Sequence, residues 1–220
     1  AGVAWDSSIM PIRVMDSGGF IWTDYLINAM LYLGIYADLH PEVRIVANMS
    51  IGGRGYSYAF KDAIDFAAER GVLLVTSAGN DSRRLMSYPS AYNGVVTVAA
   101  STPRNKKADF STEGWWNSVA APGTRIYSAV LFDGYESWNG TSMAAPYVAG
   151  AVALLLAEHP DLTPIQIKSQ LEQTAQGPGF NEQLGYGVID AQALLGPLMP
   201  VTYGSLTVTS NVPPWSANFT

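Results

Sequence analysis

The chain has no cysteine in its 220 residues. That removes disulfides, thiolate metal sites and a cysteine nucleophile together. Histidine is almost as scarce: only His40 and His159 could supply an imidazole. Basic residues are few, 12 Lys and Arg against 18 Asp and Glu, for a net charge of −6. With no basic stripe, nucleic acid and anionic membrane are poor partners. The longest basic cluster, Arg104 to Lys107, is short and reads as a solvated loop between two strands. Long apolar runs are missing too. Met143 to Ala157 carries no charge, but at the helical rise it spans about 22 Å, short of a hydrocarbon core of about 30 Å. A buried helix at the centre of a globular domain fits it better. Ala1 opens directly into globular-looking sequence, without the layout of a signal peptide.

What is present is punctuation. The 21 Gly and 13 Pro suit many tight turns. Ile9 to Val14 reads as a strand, followed by a loop at Asp16-Ser17-Gly18-Gly19. From Thr23 a helical pattern runs through Leu26, Ile27, Met30, Leu31 and Leu33. Arg44 to Ile51 reads as a strand. Tyr58 to Arg70 reads as an amphipathic helix with Phe60, Ile64 and Ala67 inward, stopped by Gly71. Val72 to Thr76, Val95 to Ala99 and Arg125 to Val130 read as further strands. Thr163-Pro164-Ile165-Gln166 has the form of a capping box, opening a helix to about Ala175. Asp190 caps a last short helix through Leu195. Strands that alternate with helices and are apolar on both faces imply an α/β fold, a parallel sheet flanked by helices. In such sheets ligands sit at the carboxyl ends of the strands, the edge that Ser50 to Gly53 and Ser77 to Asn80 would reach.

The chain divides at about residue 196. Residues 197–220 read as a linker through Pro197 and Pro200, then one alternating strand, Leu206 to Thr209, the start of a further β domain. One strand cannot bury a face alone.

The richest chemical signal is Gly140-Thr141-Ser142-Met143-Ala144-Ala145-Pro146. It sets a serine hydroxyl at the start of a long apolar helix, where N–H groups are unpaired and the dipole is positive. A bare Gly-Thr-Ser is more often a helix cap. The seven residues in register, however, resemble the nucleophile motif of the subtilisin-like serine proteases, the subtilases. Other segments carry the same resemblance. Ser77-Ala78-Gly79-Asn80 is similar to the segment whose asparagine helps form the oxyanion hole. Asn48 to Gly53 is similar to the substrate-binding strand, with Ser50, Ile51, Gly52 and Gly53 on the peptide. Ala78 and Gly79 would line the opposite wall of the specificity pocket, and Ser87 its floor; Tyr88-Pro89 is a candidate cis bond. Ala108-Asp109-Phe110-Ser111, Ala120-Ala121-Pro122-Gly123 and Gly185 to Ala191 are structural landmarks. The resemblance covers Gly2 to about Leu195.

The resemblance implies a subtilisin-like fold and a serine endopeptidase that forms an acyl-enzyme on Ser142, with Asn80 as a donor to the oxyanion. It also implies a gap. Subtilases run Asp, His, Ser, and the aspartate and histidine motifs are not found here. Gly2-Val3-Ala4-Trp5 resembles the segment just after the histidine. The chain is therefore expected to be a C-terminal part of a catalytic domain, inactive alone, that associates with the missing N-terminal part or with another copy. Asp16-Ser17-Gly18 imitates the aspartate motif but follows a later strand. His159 lies seventeen residues beyond Ser142, about 25 Å along one helix. His40 leads into the strand at Arg44, at the edge opposite the active site.

No cofactor is expected for the chemistry. Structural calcium is implied by the resemblance alone, since no clustered carboxylates stand out. Four Asn-X-Ser/Thr sequons, at Asn48, Asn80, Asn139 and Asn218, point to a secreted bacterial or archaeal protein made without N-glycosylation. Two other readings compete. A pseudoprotease or assembly module would keep the fold without the chemistry, against which the intact Ser142 and Asn80 argue. A sedolisin-type enzyme would use a glutamate base and an aspartate at the oxyanion position, where this chain has Asn80.

Overall fold

The computed structural model describes residues 2–201. In chain order the elements are α1 (Thr23–Leu39), β1 (Val46–Met49), α2 (Tyr58–Ala68), β2 (Leu73–Ser77), β3 (Val96–Ser101), β4 (Val119–Pro122), β5 (Ile126–Val130), β6 (Gly134–Trp138), α3 (Thr141–Glu158), α4 (Pro164–Thr174) and α5 (Ala191–Leu194). Strands β1 to β4 form one parallel sheet in sequential order, and β5 and β6 form a separate antiparallel hairpin.

The sheet is apolar on both faces because β2 alternates its loyalties. Leu73 and Val75 join Val96, Val98, Val119 and the inward face of α3, including Val148, Val152 and Leu155. Leu74 turns to the other side, where Met30 and Leu33 of α1 meet Phe60, Ile64 and Ala67 of α2. This is the parallel α/β arrangement the patterning implies. By length and composition α3 could cross a membrane, but it packs against all four strands. It is the central core helix.

Local signals behave as physics requires. Ser57 caps α2 by accepting from the Phe60 N–H, and the helix closes with the Val72 N–H on the Ala67 carbonyl. Thr163 and Gln166 form the reciprocal capping box of α4. Asp190 accepts from the N–H groups of Gln192 and Ala193, which holds its carboxyl below the usual range together with a bond from Gln176.

Two expectations are corrected. Ile9 to Val14 is extended but joins no ladder; Met15 makes a single bridge to Ile21. Among the described residues it has no strand beside it, so only Ile12 is drawn onto the α1–α2 core while Ile9 stays exposed. The Arg104 to Lys107 cluster is not wholly solvated. Lys107 is only 13% exposed and pairs with Glu113 at 3.2 Å. Beyond the cores, Pro197 and Pro200 are tied to α4 by the amides of Gln170 and Gln173. The strand expected at residues 206–209 lies outside the described residues.

Candidate active site

Ser142 is the second residue of α3, whose N-terminal end opens at the carboxyl edge of the sheet. Its own N–H lies in the first turn, where no helical acceptor exists. The serine and the strand end it faces hold each other: Ser142 Oγ donates to the Ser50 carbonyl at 3.4 Å, and Ser50 Oγ donates to the Ser142 carbonyl at 3.1 Å.

Asn80 follows β2 and is aimed by Thr141, the residue before Ser142. Its Oδ1 accepts from both the Thr141 N–H and the Thr141 hydroxyl, each at 3.0 Å. Thr141 is fully buried and also receives the Gly79 N–H at 3.1 Å. With Oδ1 turned to Thr141, the amide nitrogen is left as a donor on the other side. Asn80 also lines a cavity of about 340 Å³, together with Ser50, Ile51, Gly52, Gly53, Arg54, Ser77, Gly79, Asp81, Ser87, Thr141 and Ser142.

Eight of the nine residues singled out from sequence thus meet around one cavity. Gly53 and Tyr88 exchange backbone hydrogen bonds at 2.9 and 2.7 Å, which ties the Gly52-Gly53 strand end to the Ser87 segment. The Tyr88–Pro89 bond is cis. Ala78 is the exception. It is fully buried against Ala99, Ala120 and Val188, so it supports the sheet and leaves the pocket wall to Gly79. Sequence reasoning missed Thr141 as the holder of Asn80, and it missed the Arg54–Asp81 pair, 3.6 Å apart, on the cavity wall. The place of Thr141 between Gly140 and Ser142 was the available signal.

Ser142 also lines a second groove, of about 610 Å³, between the β5–β6 hairpin and the start of α3. Its walls include Val3, Ile126, Val130, Trp138, Met143, Pro146 and Tyr147. The serine therefore stands between a polar cavity and a mainly apolar groove.

Neither histidine approaches it. His159 is the C-cap of α3, at the far end of the helix. His40 caps α1 and stacks on Tyr36 with ring centroids 4.2 Å apart. Arg44 joins the two regions through a hydrogen bond to the Pro160 carbonyl, so both histidines lie at the opposite sheet edge. A cavity of about 790 Å³ opens at that same edge among Arg44, Arg70, Pro160 and Ile165. Asp16 organises its own loop, accepting from Gly18 and Phe20 N–H groups and the Trp22 indole. No group of three or more His, Asp or Glu assembles a metal site among the described residues.

The model described as the subtilase family matches residues 1–187. The chain belongs to the subtilase family. It is 37% identical to a subtilisin of Bacillus pumilus over 196 residues, covering 87% of this chain and 69% of the relative. It is likewise 37% identical to subtilisin E of Bacillus subtilis (strain 168), covering 87% of this chain and half of that relative. Among solved structures, fervidolysin of Fervidobacterium pennivorans, described as a keratinolytic enzyme related to subtilisin, superposes with a TM-score of 0.75 at 36% identity. That match covers 86% of this chain and 32% of fervidolysin. This subtilase chain thus spans between a third and about two thirds of these relatives.

Proposed function

We propose that this subtilase chain carries the nucleophile, oxyanion donors and substrate groove of a serine endopeptidase, with Ser142 forming the acyl-enzyme. The observation that carries the reading is the meeting of Ser142 and Asn80 on one cavity, with the Asn80 amide held by Thr141. Ser142 Oγ attacks the peptide carbonyl carbon and gives its proton to a base. The oxyanion accepts hydrogen bonds from the Ser142 N–H and from Asn80 Nδ2. Collapse breaks the C–N bond, the amine leaves with the proton from the base, and water then hydrolyses the ester by the reverse sequence.

The base comes from polypeptide outside these 220 residues. The apolar groove beside Ser142 supports this. Ser142 lines it but Asn80 does not, and its Trp138 and Tyr135 are exposed. The rest of the same catalytic domain is favoured over a second copy as the source, since the relatives are longer than this chain. The substrate is an extended, unstructured peptide that pairs with the Ser50 to Gly53 edge. We place the protein outside the cell, in a bacterium or archaeon. Asn80 lines the cavity beside Ser142, where a glycan would block substrate.

Mass spectrometry after treatment with a fluorophosphonate probe tests the reading. One adduct, lost in Ser142→Ala and strengthened by the base-bearing polypeptide, is expected. Labelling that survives Ser142→Ala, or a base-complete protein that never labels, would overturn it.

A further inference from the structure

We propose that Thr112 is a positioning residue for the oxyanion side of this site, acting through Asn80. The inference rests on the reading of Asn80 as an oxyanion donor.

Thr141 fixes which way the Asn80 amide faces and holds the Gly79 N–H, but it leaves the Gly79 carbonyl and the Asp81 N–H to another partner. That partner comes from a loop the chemistry leaves unused. Thr112 is fully buried and meets the Gly79–Asp81 turn with its N–H and its hydroxyl. Its N–H donates to the Gly79 carbonyl at 3.0 Å, and its Oγ1 accepts from the Asp81 N–H at 3.0 Å. Asn80 is thus bracketed on each side by one residue. The approach is close. A Cβ at Gly79, which has φ +105°, would stand 2.9 Å from Thr112 Oγ1. Neighbouring bonds extend the zip, from the Ser82 N–H to the Phe110 carbonyl at 2.9 Å and from the Glu113 N–H to the Arg83 carbonyl at 3.4 Å.

Thr112 is itself held from below. Ser111 Oγ accepts from the Ala100 N–H of β3 at 3.0 Å, and the Asn117 amide donates to the Thr112 carbonyl at 3.1 Å. Lys107 Nζ donates to the Ser111 carbonyl at 3.0 Å while pairing with Glu113. The loop therefore refers the oxyanion turn to a core strand. An error of about 1 Å in such a donor costs on the order of 10²-fold in rate, so this bracketing is worth kinetic effect without touching substrate.

The test is a double-mutant cycle in the base-complete enzyme, with an exchange measurement on this chain. Thr112→Val keeps the shape and removes the acceptor; Thr112→Ser keeps it. Thr112→Val is expected to lower kcat about 10–100-fold with KM unchanged, and Thr112→Ser to stay within about twofold. In an Asn80→Ala background Thr112→Val should add less than about twofold, because its effect passes through Asn80. An equal loss in both backgrounds means a general structural role and overturns the proposal. So does an unchanged kcat in Thr112→Val. Full kcat in Asn80→Ala alone sinks the donor reading, and this inference with it. Independently of turnover, amide exchange at Asp81 and at the Asn80 side chain should quicken about tenfold in Thr112→Val; unchanged exchange refutes the bracketing. If Thr112→Val does not fold, Thr112→Ala carries the same comparisons.

Discussion

Asn80 carries two separable duties, and two substitutions should pull them apart. Its Oδ1 satisfies the buried Thr141 N–H and hydroxyl at the head of α3. Its Nδ2 is the proposed donor to the oxyanion. Asn80→Ala removes both. Leaving the Thr141 groups unpaired costs about 1–3 kcal/mol of stability. Asn80→Asp keeps an acceptor of the same shape and adds negative charge at a helix N-terminus, worth about 0.3–1 kcal/mol at an exposed site. It has no N–H to give. Loss of one such donor lowers kcat by about 10²–10³, a magnitude measured on subtilisin's own side-chain donor and carried over to this relative. Thermal melts and turnover of a chromogenic peptide by the base-complete enzyme should therefore disagree in a set way. Asn80→Asp keeps or raises Tm yet loses about 10²-fold or more in kcat. Asn80→Ala loses both. An Asn80→Asp enzyme with kcat within about threefold of wild type would refute the oxyanion assignment. A melt that falls as far as that of Asn80→Ala would refute the Thr141 bookending.

Other outcomes follow from the packing and the charges. Gly123→Ala places a methyl 2.5 Å from the Ala100 Cβ and 2.9 Å from the Gly140 carbonyl. It should cost about 1–3 kcal/mol in denaturant melts and slow Ser142 labelling, because the Gly140 N–H hangs from the Gly123 carbonyl at 2.8 Å. Leu155→Ala empties a fully buried site on α3 and should cost about 2–5 kcal/mol, read by urea unfolding. Asp16 is held below the usual carboxylate range, first by the Trp22 indole and then by the Phe20 N–H. A lowered folded-state value means the loop's stabilisation is present above the unfolded value and drains as pH falls through the folded one. The Trp22 indole N–H resonance should therefore shift below about pH 4 and stay still in Asp16→Asn.

The sequence was most legible where one local cause acts alone. The capping box at Thr163, the Asp190 cap and the apolar face of α2 each appear as the residues demand. Elements defined by their neighbours were harder. Strand β4 is Val-Ala-Ala-Pro, with little strand propensity of its own, and exists because it continues the ladder from β3. Strand β6 follows a turn in which Phe132 and Asp133 take positive φ; the Asp133-Gly134 signal sits at its end, and the bulky Phe132 takes a left-handed position that the signal does not mark. Ile9 to Val14 fails for the converse reason: its pattern is a strand's, but a strand needs a partner. The site was legible as motifs and not as a mechanism of support. The place of Thr141 beside Ser142 was a signal, but nothing in the spacing of Thr112 announces that it grips the same asparagine turn.

That arrangement explains how the proposed donor, though exposed, can be rigid. Asn80 sits at the surface of the cavity, where substrate must reach it. A side chain there gains little from packing, so its order has to come from hydrogen bonds to residues that are themselves buried. Thr141 supplies them from the nucleophile's own helix, and Thr112 from a loop referred to β3. The proposed nucleophile and oxyanion donor are thereby coupled: a shift of α3 that moves Ser142 also moves Thr141, and with it the Asn80 amide. Under the proposed function the base has no such tie within the described residues. Its docking would set the geometry on one side of Ser142, and the proposed oxyanion side would be preorganised by the Thr141 and Thr112 bonds.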